Sequence, residues 1–131
     1  MGEKALVESL INDAASLIKK LDEVGTSPTF AAWYYYDDVD EWRLLIASPA
    51  LDPLLQKQEA VAYRKIIEAL SSTSPAALSV SDLKLVATNY QLLQALQFLV
   101  RTGPQGNIRA HFKDCMMNGI FIKELVILRS A

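Results

Sequence analysis

A chain of 131 residues with 51 % apolar and 21 % charged side chains has the size of one domain and too much apolar matter for intrinsic disorder. Its net charge of −2 argues against a dedicated nucleic-acid binder, and no apolar run reaches the roughly 18 residues that a membrane helix needs. The lone Cys115 excludes an intrachain disulfide, and the opening Met1-Gly2-Glu3-Lys4 is too charged for a signal peptide, so a cytoplasmic protein is expected.

Leu6, Val7, Leu10, Ile11, Ala14, Leu17, Ile18, Leu21 and Val24 recur at helical spacing and predict a helix over 5–24, stopped by Gly25 and Pro28. The stripe is wider than a two-stranded coiled-coil seam, which suits a helix lying on a sheet of its own domain. Phe30–Tyr36 and Trp42–Ala47 are aromatic and branched runs on either side of an acidic stretch, the pattern of two antiparallel strands and a turn. Trp42, Leu44 and Ile46 share one face of the second strand, and Arg43 and Leu45 share the other.

Ser48-Pro49 and Asp52-Pro53 make a loop, because a residue before proline is pushed out of helical space. A helix over 54–71 follows, with Leu55, Ala62, Ile66, Ile67 and Leu70 on one side, and Ser71–Pro75 ends it. A short strand is expected over 83–87, and Thr88 with Gln91 reads as a capping box opening a helix over 90–101. That helix carries Leu92, Leu93, Leu96, Leu99 and Val100, and Gly103-Pro104 closes it. Ile108, Ala110 and Phe112 then alternate with Arg109, His111 and Lys113, and Asn118-Gly119 signals a tight hairpin turn. The last strand, Ile120–Leu128, is too apolar over Leu125–Leu128 for a sheet edge.

The predicted order is α-β-β-α-β-α-β-β. It describes a single α+β domain over 1–131, a mixed sheet of about five strands packed with three helices. The segments Trp42–Pro49 and Asn118–Arg129 resemble stretches of small bacterial proteins, a likeness that implies neither a family nor a function.

Four groupings could carry chemistry. Asp37, Asp38, Asp40 and Glu41 place four carboxylates within five residues, enough charge to attract Ca²⁺ or Mg²⁺. Counted from Asp37, however, the glycine and glutamate of an EF-hand loop are replaced by Trp42 and Ser48. A solvated turn that binds no metal is therefore expected. Asp82-Leu83-Lys84, with Asp52 as a distant acid, has the acid-x-lysine form of metal-dependent nucleases. Among fifteen acids and thirteen bases such triplets arise by chance, and Glu41-Trp42-Arg43 is another.

His111 and Cys115 could pair as imidazole and thiolate, yet residues four apart on a strand lie about 13 Å apart. Arg109, His111 and Lys113 line one strand face, either a basic platform or an ordinary solvent face. The halves of the chain differ in charge: residues 1–83 carry seven basic and thirteen acidic side chains, residues 84–131 six and two. No phosphate-binding glycine loop, zinc set or nucleophile elbow is present, so no cofactor is expected.

Because no grouping rises above chance, the expected function is that of a small bacterial protein-interaction module or complex subunit, self-associating or bound to a protein partner. The candidate contact residues are Trp33, Tyr35, Arg43, Arg109 and Lys113. A five-stranded sheet is about 24 Å wide, so two or three helices cover one face. The other face is expected to keep some of Trp33, Tyr34, Tyr35, Tyr36, Leu45 and Phe121, and a second copy is expected to bury that face or to pair through the N-terminal helix. The alternative is a small enzyme or anion- or nucleic-acid-binding protein using the acidic turn 37–41 or the basic strand 109–113.

Overall fold

Leu10, Ala14, Leu17, Ile18 and Leu21 fall three or four residues apart along α1 (Glu8–Glu23) and so share the side that meets the sheet. The computed structural model describes residues 6, 8–97, 101–103, 106–117 and 119–131. After α1 come β1 (Phe30–Tyr36) and β2 (Glu41–Ala47), then α2 (Asp52–Lys57) and α3 (Glu59–Ser72). A 3₁₀ turn at Val80–Asp82 leads into β3 (Leu83–Leu85), α4 (Gln91–Leu96), β4 (Ala110–Met117) and β5 (Ile120–Ser130). The order α-β-β-α-α-β-α-β-β differs from the expected one by a single helix.

The extra helix arises at Gln58, whose φ of −145° and ψ of 65° interrupt the predicted 54–71 run. Neither Gly nor Pro stands at the junction to announce it. The break lets Leu54 and Leu55 of α2 and Ala62 and Ile66 of α3 pack on the same core. A second correction concerns Thr88, which caps no helix. Its backbone N–H (3.0 Å) and its hydroxyl both donate to the Asp52 carboxylate, and α4 begins after Tyr90 without a side-chain cap. Val7, Leu99, Val100, Pro104, Gln105 and Asn118 lie outside the described residues, so the far end of the predicted 90–101 helix and the first turn residue of the last hairpin do too.

The sheet runs β3-β2-β1-β5-β4. Only β2 and β3 pair in parallel, so the sheet is mixed, and β5 sits inside it as its apolar run requires. Strand alternation sends Ala31, Trp33, Tyr35, Trp42, Leu44 and Ile46 to the face under α1, α2 and α3. Phe30, Ala32, Tyr34, Leu45 and Ala47 go to the opposite face, where Leu93 and Leu96 of α4 pack with Leu125 and Ile127. Both faces therefore carry a core. Ile46, Ile66, Leu96 and Ile127, each on the apolar phase of its element, are all fully buried.

Two features bear on the site. On β4 and β5 the strict alternation fails: Phe112 and Cys115, three residues apart, both reach the second core, as do Ile122 and Leu125. Asp114, with φ +51°, absorbs the phase change on β4. At the other end of β5, Arg129 is fully buried against the C-terminal turn of α1 and against Gly106 and Asn107. It donates to Asp22, Asn107 and the carbonyls of Gly106 and Pro28, which leaves its charge paired and its fork filled.

Candidate functional site

The acidic turn is a solvated hairpin tip whose inner members are engaged. Asp37, Asp38 and Asp40 are exposed, Tyr35 donates its hydroxyl to Asp40, and Glu41 forms an ion pair with Arg43. Asp40 takes a φ of +53°, which an acidic turn residue tolerates. Among the described residues no three His, Cys, Asp or Glu groups converge as metal ligands would.

The acid-x-lysine triplet does not assemble. Asp82 turns back to accept the backbone N–H of Ser79 at 2.9 Å, capping the 3₁₀ turn, while Asp52 holds Thr88. Lys84 departs to the second sheet face, its Nζ 5.2 Å from the centre of the Tyr36 ring.

His111 and Cys115 stand on opposite faces, because the phase change at Asp114 turns Cys115 into the second core. The partner of His111 is Glu124 on the neighbouring strand, Nε2 to Oε2 at 2.6 Å. The basic strand also brings acids beside its cations: Arg109 pairs with Glu8 of α1, Lys113 lies directly across from Glu124, and Asp114 meets Lys123 at 3.5 Å. Its field is that of a mixed face rather than of a uniform basic stripe.

Trp33 and Tyr35 are buried within the chain, at 0 % and 3 % exposure, so neither is offered to a partner. This corrects the expectation of a ring-lined face left bare. Large exposed apolar side chains instead gather at the β4–β5 hairpin, where Met116 and Phe121 are cross-strand neighbours, 65 % and 51 % exposed. Elsewhere, a shallow cleft of about 240 Å³ between α1 and α3 is lined by Lys20, Val24, Lys65, Glu68 and Ser72.

One convergence on the second face was not foreseen. Tyr34 and Tyr36 stand two residues apart on β1, so their rings share a face and meet at 4.8 Å between centres, tilted by 57°. Arg43 lies directly across from Tyr34 on β2, and Lys84 reaches over from β3. Burial pushes the Tyr34 hydroxyl up to about 12, helped by its neighbours Tyr36, Tyr90, Asp37 and Cys115. Burial also raises Tyr36, while the cationic Lys84 and Arg43 oppose it. The Tyr36 hydroxyl is buried and has no hydrogen-bond partner of ordinary geometry.

No family model, curated protein or solved structure matches this chain. What it does must be argued from its own surfaces. Local spacing does hold part of the signal, since Tyr34 and Tyr36 alternate onto the face that Arg43 and Leu45 share. The arrival of Lys84 depends on β3 joining β2 in parallel, with Lys84 beside Leu45, and nothing local encodes that pairing.

Proposed function

We propose that this chain is a protein-interaction module, a subunit that assembles with a second copy of itself along the outer edge of β4. The observation that carries the reading is that edge: β4 is an eight-residue strand at the end of the sheet, paired on one side only among the described residues. A row of unpaired backbone groups is a template for another strand. Beside it the β4–β5 hairpin presents Met116 and Phe121 to solvent, apolar surface that a second copy would cover. The strand also carries His111, Lys113 and Asp114, both signs of charge within four residues, so it repels a second copy less than a row of like charges would. A two-fold axis beside β4 lays the strands antiparallel and continues the five-stranded sheet across the pair.

Sedimentation equilibrium at micromolar concentration tests the reading. The expected result is a species of twice 14.5 kDa that dissociates when Met116→Lys and Phe121→Lys are combined. A clean 14.5 kDa monomer would instead assign Lys113 and the irregularity at Asp114 the opposite role, that of guarding an edge against pairing.

A further inference from the structure

On the sheet face opposite Met116 and Phe121, four polar side chains from three strands converge without completing one another. Tyr34 and Tyr36 come from β1, Arg43 from β2 and Lys84 from β3, and Tyr90 lies close by at the start of α4. Three observations ask for a ligand. The Tyr36 hydroxyl is buried and makes no hydrogen bond of ordinary geometry; the Lys84 ammonium is the neighbour that acts on it most. No carboxylate pairs with Lys84 among the described residues; its ammonium lies against the ring face of Tyr36. No hydrogen bond from the Tyr34 hydroxyl joins another described residue, although the Asp37 carboxylate is among its neighbours.

We propose that the Tyr34–Tyr36 pair, covered by Lys84, is a binding site for a small organic anion whose carboxylate or phosphate sits on a flat apolar body. The oxyanion meets the Lys84 ammonium and accepts from the Tyr36 hydroxyl, with Tyr34 as a second donor. The flat body lies against the partly exposed Tyr36 ring. The cover over Tyr36 is a long side chain with rotatable bonds rather than backbone, so the ligand enters as the ammonium swings out and stays paired with the incoming charge. Arg43 contributes less, because Glu41 already holds its guanidinium. Tyrosine hydroxyls that resist ionisation remain donors throughout the physiological range, which an anion site requires. No bond is made or broken; the site binds.

The test uses the whole chain and three probes, benzoate, phenyl phosphate and inorganic phosphate, each titrated while the tyrosine ring resonances are followed by NMR. Benzoate or phenyl phosphate is expected to shift the Tyr34 and Tyr36 rings saturably, with a Kd of about 1 mM or tighter. Lys84→Gln should weaken that binding about tenfold, Lys84→Arg should retain it, and Tyr36→Phe should weaken it about fivefold. Should Lys84→Gln fail to fold, Tyr36→Phe, which removes one oxygen atom, carries the test alone. No saturable shift with either aromatic probe overturns the proposal, as does binding that both Lys84→Gln and Tyr36→Phe leave intact. Inorganic phosphate binding as tightly as phenyl phosphate overturns the role given to the rings. The site lies on the other face from the β4 hairpin patch, so its failure leaves the assembly reading standing, and the converse holds.

Discussion

The Arg129 guanidinium grips both oxygens of the Asp22 carboxylate, Nη1 to Oδ1 at 2.7 Å and Nη2 to Oδ2 at 2.9 Å. This two-point contact fastens the last turn of α1 to the end of β5. Because Arg129 is fully buried, removing its partner strands a charge where water does not reach. Asp22→Ala should therefore cost about 3 kcal/mol, measured by urea unfolding, whereas an exposed pair such as Arg109–Glu8 should cost about 0.5 kcal/mol when broken. Equal costs would mean that the buried fork adds nothing.

The same contact sets an acid limit. Hydrogen bonds from Arg129, and one from Ser27, hold the Asp22 carboxyl below the usual carboxylate range. A group whose folded pKa is depressed adds stability that is complete above its unfolded pKa and lost as pH falls through the folded one. The wild-type chain should lose this contribution below about pH 4. The unfolding free energy of Asp22→Asn should fall less steeply between about pH 5 and pH 2, and identical slopes would refute the assignment.

At the alkaline end the sign reverses. Tyr34, pushed up to about 12 by burial, adds stability that is complete below the ordinary tyrosine range and lost as pH rises through the folded value. The fold should loosen between about pH 10 and pH 12, and Tyr34→Phe should move that midpoint upward. Ultraviolet titration of phenolate checks it: Tyr34 should ionise only with unfolding, and Tyr36, which burial also raises, should ionise late. A wild-type spectrum in which all five tyrosines titrate together near pH 10 would contradict the burial argument.

Core substitutions separate the two faces. Ile66→Ala under α3 and Leu96→Ala in α4 each remove a fully buried side chain and should cost roughly 2–5 kcal/mol. Because they sit on opposite sides of the sheet and share no neighbours, their costs should add within about 0.5 kcal/mol in the double variant. Strong coupling would mean that the sheet passes strain between its faces.

Tyr36→Phe should raise stability by about 1 kcal/mol, since the change removes a buried hydroxyl that makes no hydrogen bond of ordinary geometry and keeps the ring in place. Thermal unfolding decides it. A loss of stability would reveal a partner for that oxygen.

Elements whose signal is local were legible. The stripe from Leu10 to Leu21, the aromatic hairpin and the apolar run at Leu125–Leu128 fix their own periodicity, and the structure follows them. Features set by distant contacts were not. Gln58 looks helical by composition and breaks because two leucines and α3 must reach one core. Thr88 spells a capping box, yet the Asp52 carboxylate, 36 residues away, claims both its donors. The regular spacing of Arg109, His111 and Lys113 suggested a basic face. Their acidic neighbours came from α1 and β5, which no window along β4 contains.

The clasp between Arg129 and Asp22 joins positions 107 residues apart, and it governs when the domain can become whole. The β1–β2 hairpin needs only a short turn and closes early, whereas β5 must travel most of the chain's length to reach its place beside β1. Until it arrives, Phe30 to Tyr34 form an open, sticky border with unmet backbone groups. Folding speed, and losses to aggregation during refolding, therefore hang on how fast one distant strand finds the centre of the sheet. Slowing that search should harm yield more than any change at the surface.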